Sequence, residues 1–154
     1  NEVPERIISI TGPLRPFDLI EVVEARHPIE LELAFKAAAK ATSEDFEAME
    51  DSIKRLKAHR RSALAMRIRY DHQFHYAIGR AARSRALALF QHQVLEHIFV
   101  RMHDYFSKIE DVDTVIALHE ETLAAIKTGN HEEITRAIDR HLSPLEEVVL
   151  GRPA

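Results

Sequence analysis

The sequence predicts an all-α fold, an antiparallel bundle of six or seven helices. Apolar residues recur at intervals of three and four through most of the chain, which is the spacing of amphipathic helices. Capping and stop signals divide this pattern into segments, and no segment shows the alternation typical of a strand. With 154 residues, 45% apolar and 30% charged, the chain suits one soluble globular domain with its own core.

The composition excludes several classes of function. The chain has no cysteine, so it can form neither disulfides nor thiolate metal sites, and this suits a reducing cytoplasm. A net charge of -4 without a long lysine and arginine block is not typical of a nucleic-acid-binding surface. No apolar run approaches the ~20 residues that a membrane helix needs, and no signal peptide is visible. We therefore expect a cytoplasmic domain without a membrane partner.

The start of the chain reads as a linker followed by the first helix. Residues 1–16 contain three prolines and a glycine, so they are expected to be a linker that joins a preceding domain. Helical spacing then extends over residues 17–41. Pro28 lies inside this stretch and is expected to break the helix near His27, because proline removes a backbone hydrogen bond.

Clear start and stop signals delimit the later helices. Thr42 is the predicted N-cap of the second helix, with Asp45 in the reciprocal position of a capping box. Gly129-Asn130 is typical of a helix stop followed by a turn. The helices after residue 41 are predicted over residues 42–59, 64–82, 85–106, 111–128 and 131–150.

Polar residues lie in the middle of the apolar stripes of three predicted helices. Asp71 and His75 are four residues apart, so they share one face of the helix over residues 64–82. His119 and His141 occupy the centres of the stripes of the last two helices. Imidazole nitrogens and a carboxylate oxygen are good metal ligands, and a bundle core commonly holds such sites. The pattern predicts a divalent metal ion bound by these four residues, with zinc first and nickel, iron or manganese as alternatives.

Two other interpretations of these residues stay open. A histidine on an apolar face is most often a hydrogen-bonded core residue, so the chain could be a structural helical dimer with buried Asp-His hydrogen bonds. An open position on a metal could also activate water or dioxygen in an enzyme. No second acid or base is evident, since Glu120 points elsewhere on its helix, and HExxH is absent. His72 is placed at a stripe edge, as a neighbour of the ligands or a surface residue.

Two arginines also lie on predicted apolar faces. Arg26 shares the face of the first helix with several apolar residues, and Arg101 falls within the stripe of the helix over residues 85–106. A buried ion pair with an aspartate or glutamate would explain either one. Alternatively, the guanidinium fork would bind a small carboxylate effector beside the metal. The predicted stripe around Arg101 consists of Leu87, Phe90, Val94, Ile98 and Tyr105.

Five short segments, in their order and spacing, carry a resemblance to a known family. They are Glu24-Ala25-Arg26 with Ile29-Glu30, Asp71-His72-Gln73-Phe74-His75, Leu118-His119-Glu120-Glu121, Gly129-Asn130 and Arg140-His141-Leu142. Together they resemble the FCD domain, the C-terminal effector domain of the FadR subfamily of GntR transcription regulators. The resemblance extends over nearly all of residues 17–150, and residues 151–154 are then a tail.

The resemblance implies a regulatory function without catalysis. It implies a homodimer of helical bundles in which Asp71, His75, His119 and His141 hold the metal, and the metal helps to hold a small carboxylate effector. It also implies an N-terminal winged helix-turn-helix, missing from this sequence, through which alone the protein would contact DNA. Because all four ligand positions are filled, the acyl-CoA-binding branch of the family is disfavoured. Tyr76 stands where the family usually has a basic residue, which bears on the effector more than on the metal.

Overall fold

The computed structural model describes residues 17–101 and 112–151, and within these ranges it contains six helices and no strand. This confirms the predicted all-α bundle. The predicted linker over residues 1–16, residues 102–106 of a predicted helix and residues 152–154 of the tail lie outside the described part of the chain. The helices are α1 (Leu19–Lys40), α2 (Ser43–Ala58), α3 (Leu64–Ala81), α4 (Arg85–Arg101), α5 (Val112–Thr128) and α6 (His131–Leu150).

Side-chain caps fix the starts of α2 and α6, as Asp18 does for α1. At α2, the backbone N–H of Asp45 donates to Thr42 Oγ1 over 3.3 Å, and Thr42 N–H donates to Asp45 Oδ2 over 2.9 Å. This is the predicted capping box. Before α6, Gly129 adopts a left-handed φ of 69°, and the side chain of Asn130 accepts from Glu133 N–H over 3.1 Å. The short turn lets α5 and α6 pack against each other, which brings their polar core residues together.

The first helix runs unbroken through its proline, so the predicted break near His27 is wrong. Pro28 and Glu24, one turn earlier, are both exposed, so the gap in the hydrogen-bond ladder falls on the solvent side. On the other side, buried residues such as Val23 and Leu33 keep α1 packed against α3, α4, α5 and α6. Burial of this continuous face outweighs one missing hydrogen bond.

Two apolar clusters of different size surround α1. The larger one includes Leu33 on α1, Phe74 on α3 and Ile134 on α6, all fully buried. The smaller one consists of Val22, Val23, Ile98 and Leu145 at the beginning of α1. Along α1, the buried charged residues Arg26 and Glu30 lie between the two clusters. These two charged residues therefore have apolar packing on both sides of them along α1.

The buried face of α4 differs from the predicted stripe. The buried residues are Gln91, Leu95 and Ile98, whereas Phe90 is 57% exposed and Arg101 is exposed at the end of the helix. The prediction that Phe90 and Arg101 lie on the core face is wrong. A polar side chain, Gln91, occupies an inward position, so counting apolar residues alone shifts the inferred face.

Phe74 provides a test of the core. Its ring is fully buried and lies with its centroid 4.6 Å from that of His119, so Phe74→Ala removes packing that also holds the polar residues. We expect this change to lower the free energy of unfolding by about 3–5 kcal/mol, measured by urea denaturation followed by circular dichroism. Met66→Ala, at an exposed position of the same helix, is the control and is expected to change stability by about 0.5 kcal/mol or less. Equal effects of the two changes would contradict this packing.

Candidate metal centre

Three helices bring the four residues of the predicted metal site together. Asp71 and His75 come from α3, His119 from α5 and His141 from α6, and one ligand atom from each lies within 4.8 Å of the others. The side chains of His75 and His119 are 1% and 0% exposed, and that of Asp71 is 19% exposed. Convergence of three imidazoles and a carboxylate inside an apolar bundle is an arrangement that needs a compensating charge.

One contact in this cluster joins Asp71 directly to His119. His119 Nδ1 lies 2.7 Å from the carbonyl oxygen of Val115, which can only accept, so Nδ1 is the protonated nitrogen. In the neutral ring the lone pair is then on Nε2, which lies 3.0 Å from Asp71 Oδ1. Within the described part of the chain, this buried Nε2 has no hydrogen-bond partner. Either a proton on Nε2, which would make an ion pair with Asp71, or a metal ion held by both residues would satisfy this contact.

The other two histidines are held in the same tautomer. His75 Nδ1 lies 3.2 Å from Glu30 Oε2, and a carboxylate only accepts. Thr122 Oγ1 donates to the carbonyl oxygen of Leu118 over 2.8 Å, so it accepts from His141 Nδ1, which is 2.7 Å away. All three imidazoles therefore keep Nε2 as the lone-pair nitrogen. Such partners on the outer nitrogen are what orients metal-bound histidines in proteins.

The protonation states of Asp71 and His141 suit metal binding. Burial would raise the pKa of Asp71, but the nearby His119, together with His75 and His72, holds this pKa well below its usual range. Burial, reinforced by His119 and His75, lowers the pKa of His141 far below its usual value. Metal binding requires an ionised carboxylate and neutral imidazoles, and the shifts of Asp71 and His141 are in these directions.

Arg26 lies at the cluster, whereas Arg101 does not. Arg26 is 7% exposed as a residue, with Nη2 3.3 Å from His75 Nε2 and Nε 3.5 Å from Glu30 Oε1. It lines a cavity of about 60 Å³ beside the cluster, and Arg101 is not among the lining residues. The cavity is bounded by Arg26, Asp71, His75, Val115, Leu118, His141, Pro144 and Leu145.

Glu30 and Thr122 were not identified from the sequence as site residues, and His72 was given two alternative places. Glu30 is fully buried and follows Arg26 by four residues, a spacing that could have revealed the pair. No comparable spacing in the sequence points to Thr122. His72, placed at a stripe edge, is 1% exposed with Nε2 4.0 Å from Asp71 Oδ2, which excludes the surface alternative. Burial is the main reason why the pKa of His72 falls to about 3, so this ring is neutral.

Comparison with known proteins identifies the family. Residues 21–144 match the FCD domain family. The HTH-type transcriptional regulator LutR of Bacillus subtilis (strain 168) is 26% identical over 139 residues, which cover 87% of this chain and 63% of LutR. The solved structure of E. coli McbR/YncC has the same fold, with a TM-score of 0.73 and 16% identity over 85% of this chain and 63% of that one. This chain thus spans less than two thirds of either relative.

The family match extends over most of the chain, and the motifs that carry the resemblance contain the four clustered residues. The likeness to a transcriptional regulator supports a role without catalysis, which agrees with the prediction that the chain is not an enzyme. Within the described residues, no helix has the length and apolar character needed to cross a membrane. The chain belongs to the FCD domain family, the effector-binding regulatory domain of GntR-type transcription regulators.

Proposed function

We propose that this domain senses a small organic acid through a bound divalent metal ion and transmits the signal as part of a dimeric transcription regulator. The observation that carries the proposal is the convergence of Asp71, His75, His119 and His141, whose ligand atoms all lie within 4.8 Å of one another. A structural Asp-His ion pair, the alternative without a metal, would account for the 3.0 Å contact between Asp71 and His119. It would not account for the presence of His75 and His141 beside that pair, which favours a cation held by all four residues.

The metal would be held by Asp71, His75, His119 and His141, and it would supply positive charge for an anionic ligand. Three nitrogens and one oxygen suit zinc best, with nickel, iron or manganese as alternatives. Four protein ligands leave room on the metal for an oxygen of the effector. Phe74 and the apolar clusters pack around this position, and such apolar surroundings strengthen electrostatic attraction.

Arg26 is the arginine that we propose for the effector carboxylate. It is a buried cation that lines the cavity together with Asp71 and His75, so a carboxylate could contact the metal and the guanidinium at once. A hydroxy, keto or sugar acid has the required carboxylate. Arg101 lies outside the cavity lining, and its predicted role stays a prediction.

The remaining parts of the proposal concern the longer protein. A winged helix-turn-helix joined through residues 1–16 would contact DNA, and residues 17–150 would sense the effector in the cytoplasm. The effector would bind one conformation of the protein more tightly than another. Its binding would therefore shift the equilibrium between them and change the affinity for DNA. The exposed apolar residues of α4 and the start of α1 would form the homodimer surface. They are Phe17, Ile20, Leu89, Phe90 and Val100.

Zinc content tests the metal site. We expect about one zinc ion per chain in the purified wild type, and its removal by a chelator should lower the melting temperature. A ligand at 100 times its Kd adds about 2.7 kcal/mol, which corresponds to roughly 5–10 °C for a domain of this size. Asp71→Ala and His141→Ala should lose the metal, and His92→Ala, at an exposed histidine, should keep it. A wild type that takes up no zinc, nickel, iron or manganese would refute the site.

The two arginines can be distinguished directly. In the zinc-loaded protein, Arg26→Lys should weaken binding of the best carboxylic acid by about 10- to 100-fold, because lysine keeps the charge and loses the fork. Arg101→Lys should leave the affinity unchanged. The acid is first selected by thermal shift from hydroxy, keto and sugar acids, and its affinity is then measured by calorimetry. The opposite result would transfer the effector role to Arg101.

The dimer surface is tested by charge insertion. Phe90→Glu places a carboxylate on the exposed face of α4, so we expect it to convert a dimer into a monomer in light scattering at micromolar concentration. Met66→Glu, the same kind of change at an exposed apolar residue on α3, should remain dimeric. Retention of the dimer by Phe90→Glu would place the interface elsewhere.

A further inference from the structure

We infer that Glu30 is a positioning residue shared by the metal ligand His75 and the effector arginine Arg26, an inference that rests on the proposed function. One carboxylate thereby couples the two groups that would contact the effector, the metal through His75 and the guanidinium directly. Neither the predicted ligands nor the sequence motifs assign this residue a role.

Each oxygen of Glu30 has its own partners. Oε2 accepts from His75 Nδ1 over 3.2 Å and from Gln91 Nε2 over 3.1 Å. Oε1 lies 3.5 Å from Arg26 Nε, an ion-pair distance at which no hydrogen bond forms. The side chain is 0% exposed, so its charge is stabilised by these neighbours and not by water. The carboxylate is therefore fixed between His75 and Arg26.

Gln91 also holds Glu30, at the same oxygen that His75 contacts. Its amide nitrogen donates both to Glu30 and to the backbone carbonyl of His75, the latter over 2.8 Å. The room for this amide comes from Gly79, since a Cβ at that position would lie 2.2 Å from Gln91 Oε1. Helices α1, α3 and α4 thus all contribute to the position of one carboxylate, which is more support than a simple surface ion pair receives.

Glu30 also distinguishes His75 from the other two histidines. His119 and His141 donate from Nδ1 to neutral oxygens of Val115 and Thr122, whereas His75 donates to an anion. An anionic partner makes the imidazole a stronger electron donor to a metal, and removal of such a partner typically costs about 10- to 100-fold in metal affinity. The same charge keeps the Arg26 guanidinium at the cavity.

A comparison of Glu30→Gln with Thr122→Val tests whether Glu30 positions both His75 and Arg26. Thr122 contacts one ligand, His141, and serves as the control for a residue that orients a single histidine. Both changes remove the natural partner of a ligand histidine, so both should weaken zinc binding by about 10- to 100-fold in competition with a chelating dye. Nuclear magnetic resonance of the zinc-loaded protein then reads the ring nitrogens of His75 and the Nε–H of Arg26. Both sets of signals should move in Glu30→Gln and stay in place in Thr122→Val.

Zinc affinity of the wild-type level in Glu30→Gln, or an unmoved Arg26 Nε–H signal, would overturn the inference. If Glu30→Gln does not fold, Gln91→Ala and Gly79→Ala disturb the same carboxylate indirectly, and they should move the His75 and Arg26 signals in the same direction. Unmoved signals in both would likewise overturn it. A wild type that binds no metal refutes the proposed function, whereas a wild type that binds zinc no more tightly than Glu30→Gln refutes only the role of Glu30.

Discussion

The cost of burying polar groups in an apolar bundle governs this structure, and the approach of Asp71 to His119 is where that cost is concentrated. The Asp71 carboxylate lies 3.0 Å from Nε2 of His119, whose side chain is fully buried. His75 and His141 complete the cluster, and outer partners orient both rings. The fold encloses a set of acceptors that call for a positive charge.

Helix α1 adds a buried ion pair beside this cluster. Its buried face changes from apolar at Val23 to charged at Arg26 and Glu30, and back to apolar at Leu33. Burial would raise the pKa of Glu30, yet His75 and Arg26 lower it to about 2, so the carboxylate is ionised in the core. A helix interrupted at Pro28 could not hold this sequence of residues on one continuous face. The unbroken α1 is thus a requirement of the site.

Much of the fold and of the site could be predicted from the sequence, for identifiable reasons. Helix periodicity and caps such as Thr42 act locally, so the number of helices and the start of α2 follow from short segments. Asp71, His75, His119 and His141 were found because each interrupts an apolar stripe, and the structure places them together. Whether they bind a metal stays a prediction.

The errors have a common physical origin. Gln91 lies inward because Glu30 and the His75 carbonyl accept its hydrogen bonds, and those partners are 61 and 16 residues away. A local pattern cannot register such partners, so Phe90 and Arg101 were assigned to the wrong face. The predicted break at Pro28 is wrong for the same reason, because the packing of α1 against four other helices is not visible in the residues that flank Pro28. Hydrogen bonds between residues that are far apart in the sequence cannot be inferred from the local pattern of apolar residues.

The register of α5 has a further consequence. This helix contributes His119 itself, the carbonyl that orients it, and the Thr122 hydroxyl that orients His141 on the neighbouring helix. These groups lie on one face within about two turns, and each added residue rotates the helix by about 100°. Side chains along the outer face of α5 can vary freely in kind, whereas its length between Val115 and Thr122 cannot change without turning one imidazole away from the cluster and removing the support of another. In this segment the number of residues between Val115 and Thr122 therefore matters more than the identity of most of them.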